Sequence, residues 1–184
     1  MELFLYIIPA ALILWIIIVY NSLISLKNQV QNSFSGIDVQ LKRRNDLIPN
    51  LVNTVKGYAT HERELFENIT QLRTSIMNAS NNSDVKELAK NDDMMTSTLK
   101  SLFAVSENYP DLKANENFLN LQNQIARTED QIAASRRIYN SNVMTFNSKI
   151  QVFPNNLVAQ SLKFKEFEFF SIQENEKVNP DVQL

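Results

Sequence analysis

The chain has 184 residues, of which 44% are hydrophobic and 21% charged, and its formal net charge is -2. This near-zero balance argues against non-specific nucleic-acid binding, which needs an excess of basic residues. The chain has no cysteine, and His61 is its one histidine, so disulfides, cysteine nucleophiles and motifs with two imidazole ligands are excluded. Its two glycines, Gly36 and Gly57, are too few for a phosphate-binding loop, and the composition indicates few tight turns and long helices.

An uncharged apolar run extends from Leu3 to Tyr20. As a helix, its roughly 18 residues would span about 27 Å, close to the ~30 Å thickness of the hydrocarbon core of a bilayer. A cleaved signal peptide is the alternative, but the run lacks a cationic start and a small-x-small cleavage site. We expect a retained transmembrane anchor over residues 1–26. The basic residues after it, beginning with Lys27, predict an outside N-terminus and a cytoplasmic body.

From Val30 onward, apolar residues recur in alternating steps of four and three. This spacing is typical of one face of a long helix in a coiled coil or bundle, and we call this set of positions the apolar stripe. Because no turn cluster interrupts the stripe before Met77, the pattern predicts one continuous helix from the bilayer to about that residue. Pro49 cannot donate a backbone hydrogen bond to the carbonyl of Asn45, so we expect a helix bend at residues 45–49.

Two further long amphipathic helices follow, and the sequence marks their ends. Asp84 is placed to cap a helix over residues 85–105, and a turn is expected around Pro110. The next helix is predicted from near Asn115 to Phe153, where Pro154 ends it. A short helix through Lys163, capped by an asparagine at 155 or 156, and an aromatic segment at 164–170 complete the predicted elements.

Three amphipathic helices joined by short loops predict an all-α fold, in which a transmembrane helix continues into an elongated antiparallel bundle with a short fourth helix. The predicted organisation is an anchor at 1–26, a helical-bundle domain at 27–170 and a flexible tail at 171–184. Because the first helix is longer than its partners, part of its apolar stripe lacks an internal cover. This predicts self-association or contact with another helical protein, unless the aromatic segment covers the gap.

Charged residues on the apolar stripe indicate a polar layer inside the bundle. Arg44 lies on the stripe of the first helix, next to Arg43. On the third helix, Glu129, Arg136 and Asn140 share one face, and in an antiparallel arrangement Glu129 would reach one of the two arginines. Such a layer would fix helix register more than it would add stability, because desolvation offsets most of the Coulomb attraction. The alternative is that the bend at Pro49 turns Arg44 toward solvent.

Several blocks of the sequence together resemble the bacterial LemA family. They include the segment around Asn45-Asp-Leu-Ile-Pro-Asn-Leu-Val52 within 30–59, and the blocks 107–114, 117–122, 128–129, 134–140, 146–147 and 153–154. The resemblance covers most of the chain. It implies a single N-terminal transmembrane helix followed by an elongated antiparallel helical bundle, with no established enzymatic activity, no cofactor and no family active site.

Three functions remain to be distinguished. The first is a non-catalytic interaction or scaffold protein of the bacterial inner membrane, anchored through Leu3–Tyr20 and self-associating or binding another helical protein. The second is a membrane-tethered module in which a ligand or partner shifts the bundle near Pro49. The third, an enzyme using Glu129 with an arginine, is disfavoured, and neither a cofactor nor a nucleic-acid partner is expected.

Overall fold

The computed structural model describes residues 2–170, and side chains from Tyr6 onward. Within this range every regular element is helical, so the predicted all-α fold with a long N-terminal apolar helix is confirmed. The helices are α1 (Glu2–Lys56), α2 (Arg63–Asn81), α3 (Val85–Ser106), α4 (Pro110–Lys113), α5 (Glu116–Gln151) and α6 (Asn155–Ser161). The predicted tail at 171–184 lies outside the described residues.

The described residues divide into two compact units. The first contains the chain up to Ser35 together with Arg137–Glu168, and the second contains Gly36–Arg136 with Phe169 and Phe170. The predicted domain limits at 26 and 170 stay a prediction.

The prediction of one helix reaching Met77 is wrong, because α1 ends at Lys56. The backbone N–H groups of Tyr58 and Ala59 both bond to Val55 O at 2.9 Å, which closes the last turn. The chain then folds back, and α2 lies antiparallel to α1 in the second unit. The six-residue connection 57–62 is about one heptad long, so the apolar repeat continues almost in phase across a hairpin that periodicity alone does not reveal.

The ends of α3 and α5 agree with their sequence signals. Asp84 Oδ1 accepts a hydrogen bond from Glu87 N at 3.0 Å, and Asn115 Oδ1 accepts one from Phe118 N at 3.0 Å. Both are N-terminal caps that satisfy backbone donors without an intrahelical partner. Two details differ from the prediction. Pro110 begins the short helix α4 instead of a simple turn, and α6 has no side-chain cap.

In the first unit, α1 and α5 run antiparallel. The rings of Phe34 and Tyr139 are 5.8 Å apart, and Asn142 Nδ2 donates to Gln29 O at 3.4 Å. The core of this unit begins on α1 with Val19, Leu23 and Val30. α5 and α6 contribute further buried side chains, namely Tyr139, Val143, Phe146, Ile150, Val158 and Ala159.

The aromatic segment after α6 has no regular secondary structure, yet it packs onto α5. Phe164 and Phe167 lie against the ring of Phe146 with centroids 6.2 and 5.1 Å away. The amide of Asn147 pairs with the backbone of Phe167, donating to its O at 2.9 Å and accepting from its N at 3.0 Å. The hydroxyl of Tyr139 donates to Glu168 O at 2.9 Å. These side-chain contacts satisfy backbone groups that an irregular segment would otherwise leave unpaired.

Candidate functional site

Arg44 is a buried charged side chain of the second unit that has an acidic partner on each of two other helices. It is fully buried in α1. Its Nη2 lies 2.6 Å from Asp92 Oδ1 of α3, and its Nη1 lies 2.8 Å from Glu129 Oε1 of α5. Thr96 of α3 bridges Arg44 and Glu129, since its hydroxyl donates to Glu129 Oε2 at 2.9 Å and accepts from Arg44 Nη1 at 3.3 Å. One guanidinium thus connects three helices.

Arg136 of α5 extends this cluster. Its Nη1 lies 3.3 Å from Asp92 Oδ2 and 2.8 Å from Asp93 Oδ1. The guanidinium carbon lies 4.8 Å from the centroid of the Phe170 ring, within the range of a cation–π contact. We call Arg44, Asp92, Asp93, Glu129 and Arg136 the ion network.

Burial sets the electrostatics of the ion network. Two guanidinium groups face three carboxylates, so the network carries a surplus negative charge when every group is ionised. Asp92 is fully buried. Burial raises the pKa of its carboxyl group, while the charges of Arg44 and Arg136 oppose that rise. Proton uptake at Asp92 would bring the network to neutrality.

The structure brings together some of the residues predicted for a polar layer and separates others. Arg44 and Glu129 form a direct ion pair, and Arg136 joins them through Asp92. Arg44 is not turned toward solvent, whereas Arg43 is exposed. Asn140 belongs to the first unit and is half-buried there.

Sequence reasoning missed the contribution of α3, although a signal was present. On α3 the apolar face runs through Leu88, Met95 and Leu99, and Asp92 falls on the same face, four residues after the first and three before the second. A carboxylate in the middle of an apolar stripe indicates a buried charge that needs a partner. Asp93 and Thr96 carry no comparable signal, because their roles depend on which side of α3 faces α5.

Pro49 lies inside α1, and the helix continues through it to Lys56. The carbonyl that lacks the proline N–H belongs to Asn45, and Arg73 Nε of α2 donates a hydrogen bond to it at 3.1 Å. A side chain from the neighbouring helix thus replaces the missing backbone donor. The predicted bend at Pro49 stays a prediction.

The N-terminal part of α1 exposes apolar side chains on all sides. Leu12, Ile13 and Leu14 are consecutive and are 55%, 58% and 60% exposed. Successive helical residues are about 100° apart, so three consecutive exposed side chains leave no single covered face. Among the described residues, α1 is the one helix long and apolar enough to cross a membrane.

Residues 6–170 contain no cluster of three or more histidine, cysteine, aspartate or glutamate side chains placed to hold a metal ion. The expectation that the protein uses no cofactor stays a prediction.

Known proteins similar to this chain share most of its length. The LemA family model matches residues 33–184. Protein LemA of Metamycoplasma hominis is 35% identical over 162 residues, covering 88% of this chain and 73% of that protein. Magnetosome protein MamQ 2 of Paramagnetospirillum magneticum is 25% identical, and magnetosome protein MamQ of Magnetospirillum gryphiswaldense is 24% identical; each match covers 82% of this chain and 64% of the relative, slightly less than two thirds of its length. The chain belongs to the LemA family.

Proposed function

We propose that this protein is a single-pass membrane protein of the cell envelope whose helical body serves as a non-catalytic interaction or scaffold module. The observation that carries the proposal is the exposure of apolar side chains around the whole circumference of α1 between Tyr6 and Ile18. A core helix of a soluble protein buries such side chains in its own fold. A bilayer provides the apolar surroundings that this stretch lacks in the chain itself.

The family and its relatives are consistent with this proposal. Two of the similar proteins are named magnetosome proteins, and the name of none of the relatives describes a reaction. The ion network supports a structural role, because its charges bond one another across α1, α3 and α5. Self-association would then use the apolar side chains that the second unit leaves exposed, such as Val39 of α1 and Met94 of α3.

The membrane anchor is tested by a pair of lysine substitutions. In Ile13→Lys/Ile17→Lys, each charge at the middle of the span costs about 2.5–3.5 kcal/mol on insertion. We expect the variant to leave the alkaline-washed membrane fraction, and the control Asn53→Lys/Gln71→Lys, at exposed polar positions, to remain in it. Retention of the first variant in the washed membranes would contradict the anchor.

Self-association is tested with single cysteines, because the chain has none. Val39→Cys should form disulfide-linked dimers in native membranes at a yield that does not depend on expression level. Glu87→Cys, at an exposed polar position of α3, should not. Equal yields from both positions, or none from either, would contradict a scaffold that assembles through this surface.

A second candidate function, a ligand-binding or signalling module, is favoured by one observation near Pro49. A cavity of about 230 Å³ lies between α1 and α2, lined by residues that include Asn45, Asp46 and Arg73. Asn45 Oδ1 is buried there without a hydrogen-bond partner among the described residues. Two results together would favour this module over the scaffold. The protein would be a monomer in native membranes, and a ligand would raise its melting temperature in the wild type but not in Asn45→Leu.

A further inference from the structure

We infer that the protein touches the bilayer a second time, through the end of its first unit, and that this contact selects anionic phospholipids. The contact surface consists of Val152, Phe153, Leu157 and Leu162, which we call the apolar tip, and of Lys27, Lys163 and Lys165 beside it. The inference rests on the proposed membrane anchor, since it assigns a further membrane contact to a protein already held by α1.

The first argument is position. The core of the first unit begins on α1 at Val19, which is 5% exposed, while Ile18 just before it is 59% exposed. The apolar run ends at Tyr20, and the ring of Phe164 packs against Tyr20 with centroids 6.5 Å apart. The segment that follows α6 therefore lies where α1 leaves the hydrocarbon region.

The second argument is the character of this end of the unit. Phe153 is 74% exposed, and the other three members of the apolar tip are about half exposed. All four belong to the connection between α5 and α6 or to α6 and its end. Exposed large apolar side chains that cluster at one place mark an interaction surface. The neighbouring stretch of α1 is proposed to lie in the bilayer, so the same bilayer is the partner that covers the apolar tip.

The third argument is charge. Lys27, Lys163 and Lys165 line a cavity of about 550 Å³ in the first unit, together with Tyr20 and Phe146. Glu166 also lines it, so the charged residues of this lining leave two positive charges in excess. Lys27 lies seven residues after Tyr20, about 10 Å along the helix axis. This distance places its ammonium group within reach of the headgroup region, where lysines attract anionic lipids.

The test uses the full chain in phosphatidylcholine vesicles with and without phosphatidylglycerol. Single cysteines at Leu12, Phe153 and Gln31 carry a fluorophore, and lipids with a nitroxide near the headgroup or in the chain report depth by quenching. We expect chain quenching at Leu12→Cys, headgroup-level quenching at Phe153→Cys and none at Gln31→Cys, an exposed position about 16 Å beyond Tyr20 on the same helix.

The lysines are tested by Lys163→Gln/Lys165→Gln in the Phe153→Cys background. Each lysine lost should reduce the preference of the tip for phosphatidylglycerol about fivefold, and the control Lys90→Gln/Lys100→Gln should leave it unchanged. Quenching at Leu12→Cys without any at Phe153→Cys would overturn the second contact and keep the anchor. Quenching at neither position would remove the anchor as well. Disulfide-linked dimers through Phe153→Cys with no lipid quenching would assign the tip to a second copy, and this too would overturn the inference.

Discussion

At the scale of single residues, Arg44 shows how one charge can define a helical interface. Its guanidinium is fully buried, and its partners lie on two other helices. A buried ion pair adds little net stability compared with a well-packed apolar replacement, but removing one partner leaves the other charge buried and uncompensated. We therefore expect the ion network to act mainly on helix register, since a shift of α1 by one turn would separate Arg44 from both Asp92 and Glu129.

We expect Arg44→Gln to lower the free energy of unfolding by about 3–5 kcal/mol, because it leaves the buried carboxyl group of Asp92 without its closest partner. Denaturant unfolding in detergent measures the loss. Arg43→Gln, the adjacent exposed position, should change stability by less than about 0.5 kcal/mol. If both substitutions cost the same, Arg44 has no special role in the bundle.

The raised pKa of Asp92 predicts a pH dependence of stability. The folded state binds this proton more tightly than the unfolded state, so the contribution of Asp92 is fully present below its ordinary pKa of 3.8 and is lost as the pH rises through the raised value. The stability of the wild type relative to Asp92→Asn should therefore fall as the pH increases above about 4. Denaturant unfolding of both proteins over this range measures the difference. If the stability difference between wild type and Asp92→Asn grows with pH, the two arginines lower the pKa of Asp92 more than burial raises it.

At the scale of elements, the contact between Arg73 and Asn45 explains how α1 passes through a proline. A proline inside a helix removes one backbone hydrogen bond and normally weakens the helix. Here α2 folds back along α1, and Arg73 supplies the donor that Pro49 lacks. The hydroxyl of Ser80 also bonds to Asp38 further along the same pair of helices. We therefore expect the hairpin and the proline to depend on each other energetically.

Arg73→Ala and Pro49→Ala should be coupled in a double-mutant cycle. In the wild type, Arg73→Ala leaves the Asn45 carbonyl without this donor and should cost about 1 kcal/mol of stability. With alanine at 49, the backbone N–H can make the regular helical bond, so the same change should cost markedly less. Equal costs in the two backgrounds, measured by denaturant unfolding, would show that Arg73 does not compensate for the proline.

The break between α1 and α2 gives another prediction at this scale. A Cβ atom at Gly57 would meet its nearest neighbour, Thr54 O, at 3.6 Å, an ordinary contact, and Gly57 does not have a positive φ. Gly57→Ala should therefore keep the break and raise stability by about 0.4–1 kcal/mol through the unfolded state. A helix that instead extends past residue 57, detected from backbone chemical shifts, would show that glycine, and not the packing of α2, ends α1.

At the scale of the whole molecule, membrane attachment organises the proposed function. Basic residues appear only after the apolar run, beginning with Lys27. The positive-inside rule therefore predicts that the body lies in the cytoplasm. A C-terminal alkaline phosphatase fusion should be inactive and a C-terminal fluorescent protein fusion bright. An active phosphatase would contradict the predicted orientation. Adding lysines before Leu3 tests its cause, because a reversed charge bias should reverse the orientation.

The sequence by itself determined the helical class, the apolar span and the approximate ends of α3 and α5. These features depend on local chemistry, namely hydrophobic periodicity, capping at Asp84 and Asn115, and the effect of Pro154 on the residue before it. It also indicated a polar layer with Arg44 and Glu129, because charges on an apolar stripe are visible in the spacing alone, but it left open whether Arg44 faces solvent.

Only the tertiary structure decided where α1 ends, which α3 residues complete the ion network and what replaces the hydrogen bond lost at Pro49. A heptad pattern reads the same through a hairpin as through one long helix, and helical spacing does not say which helix a buried charge faces. Asp92 contacts Arg44, which lies 48 positions earlier in the chain, and Arg73 contacts Asn45, which lies 28 positions earlier. Such contacts depend on how helices are placed against each other, and local sequence preference contains no information about that placement.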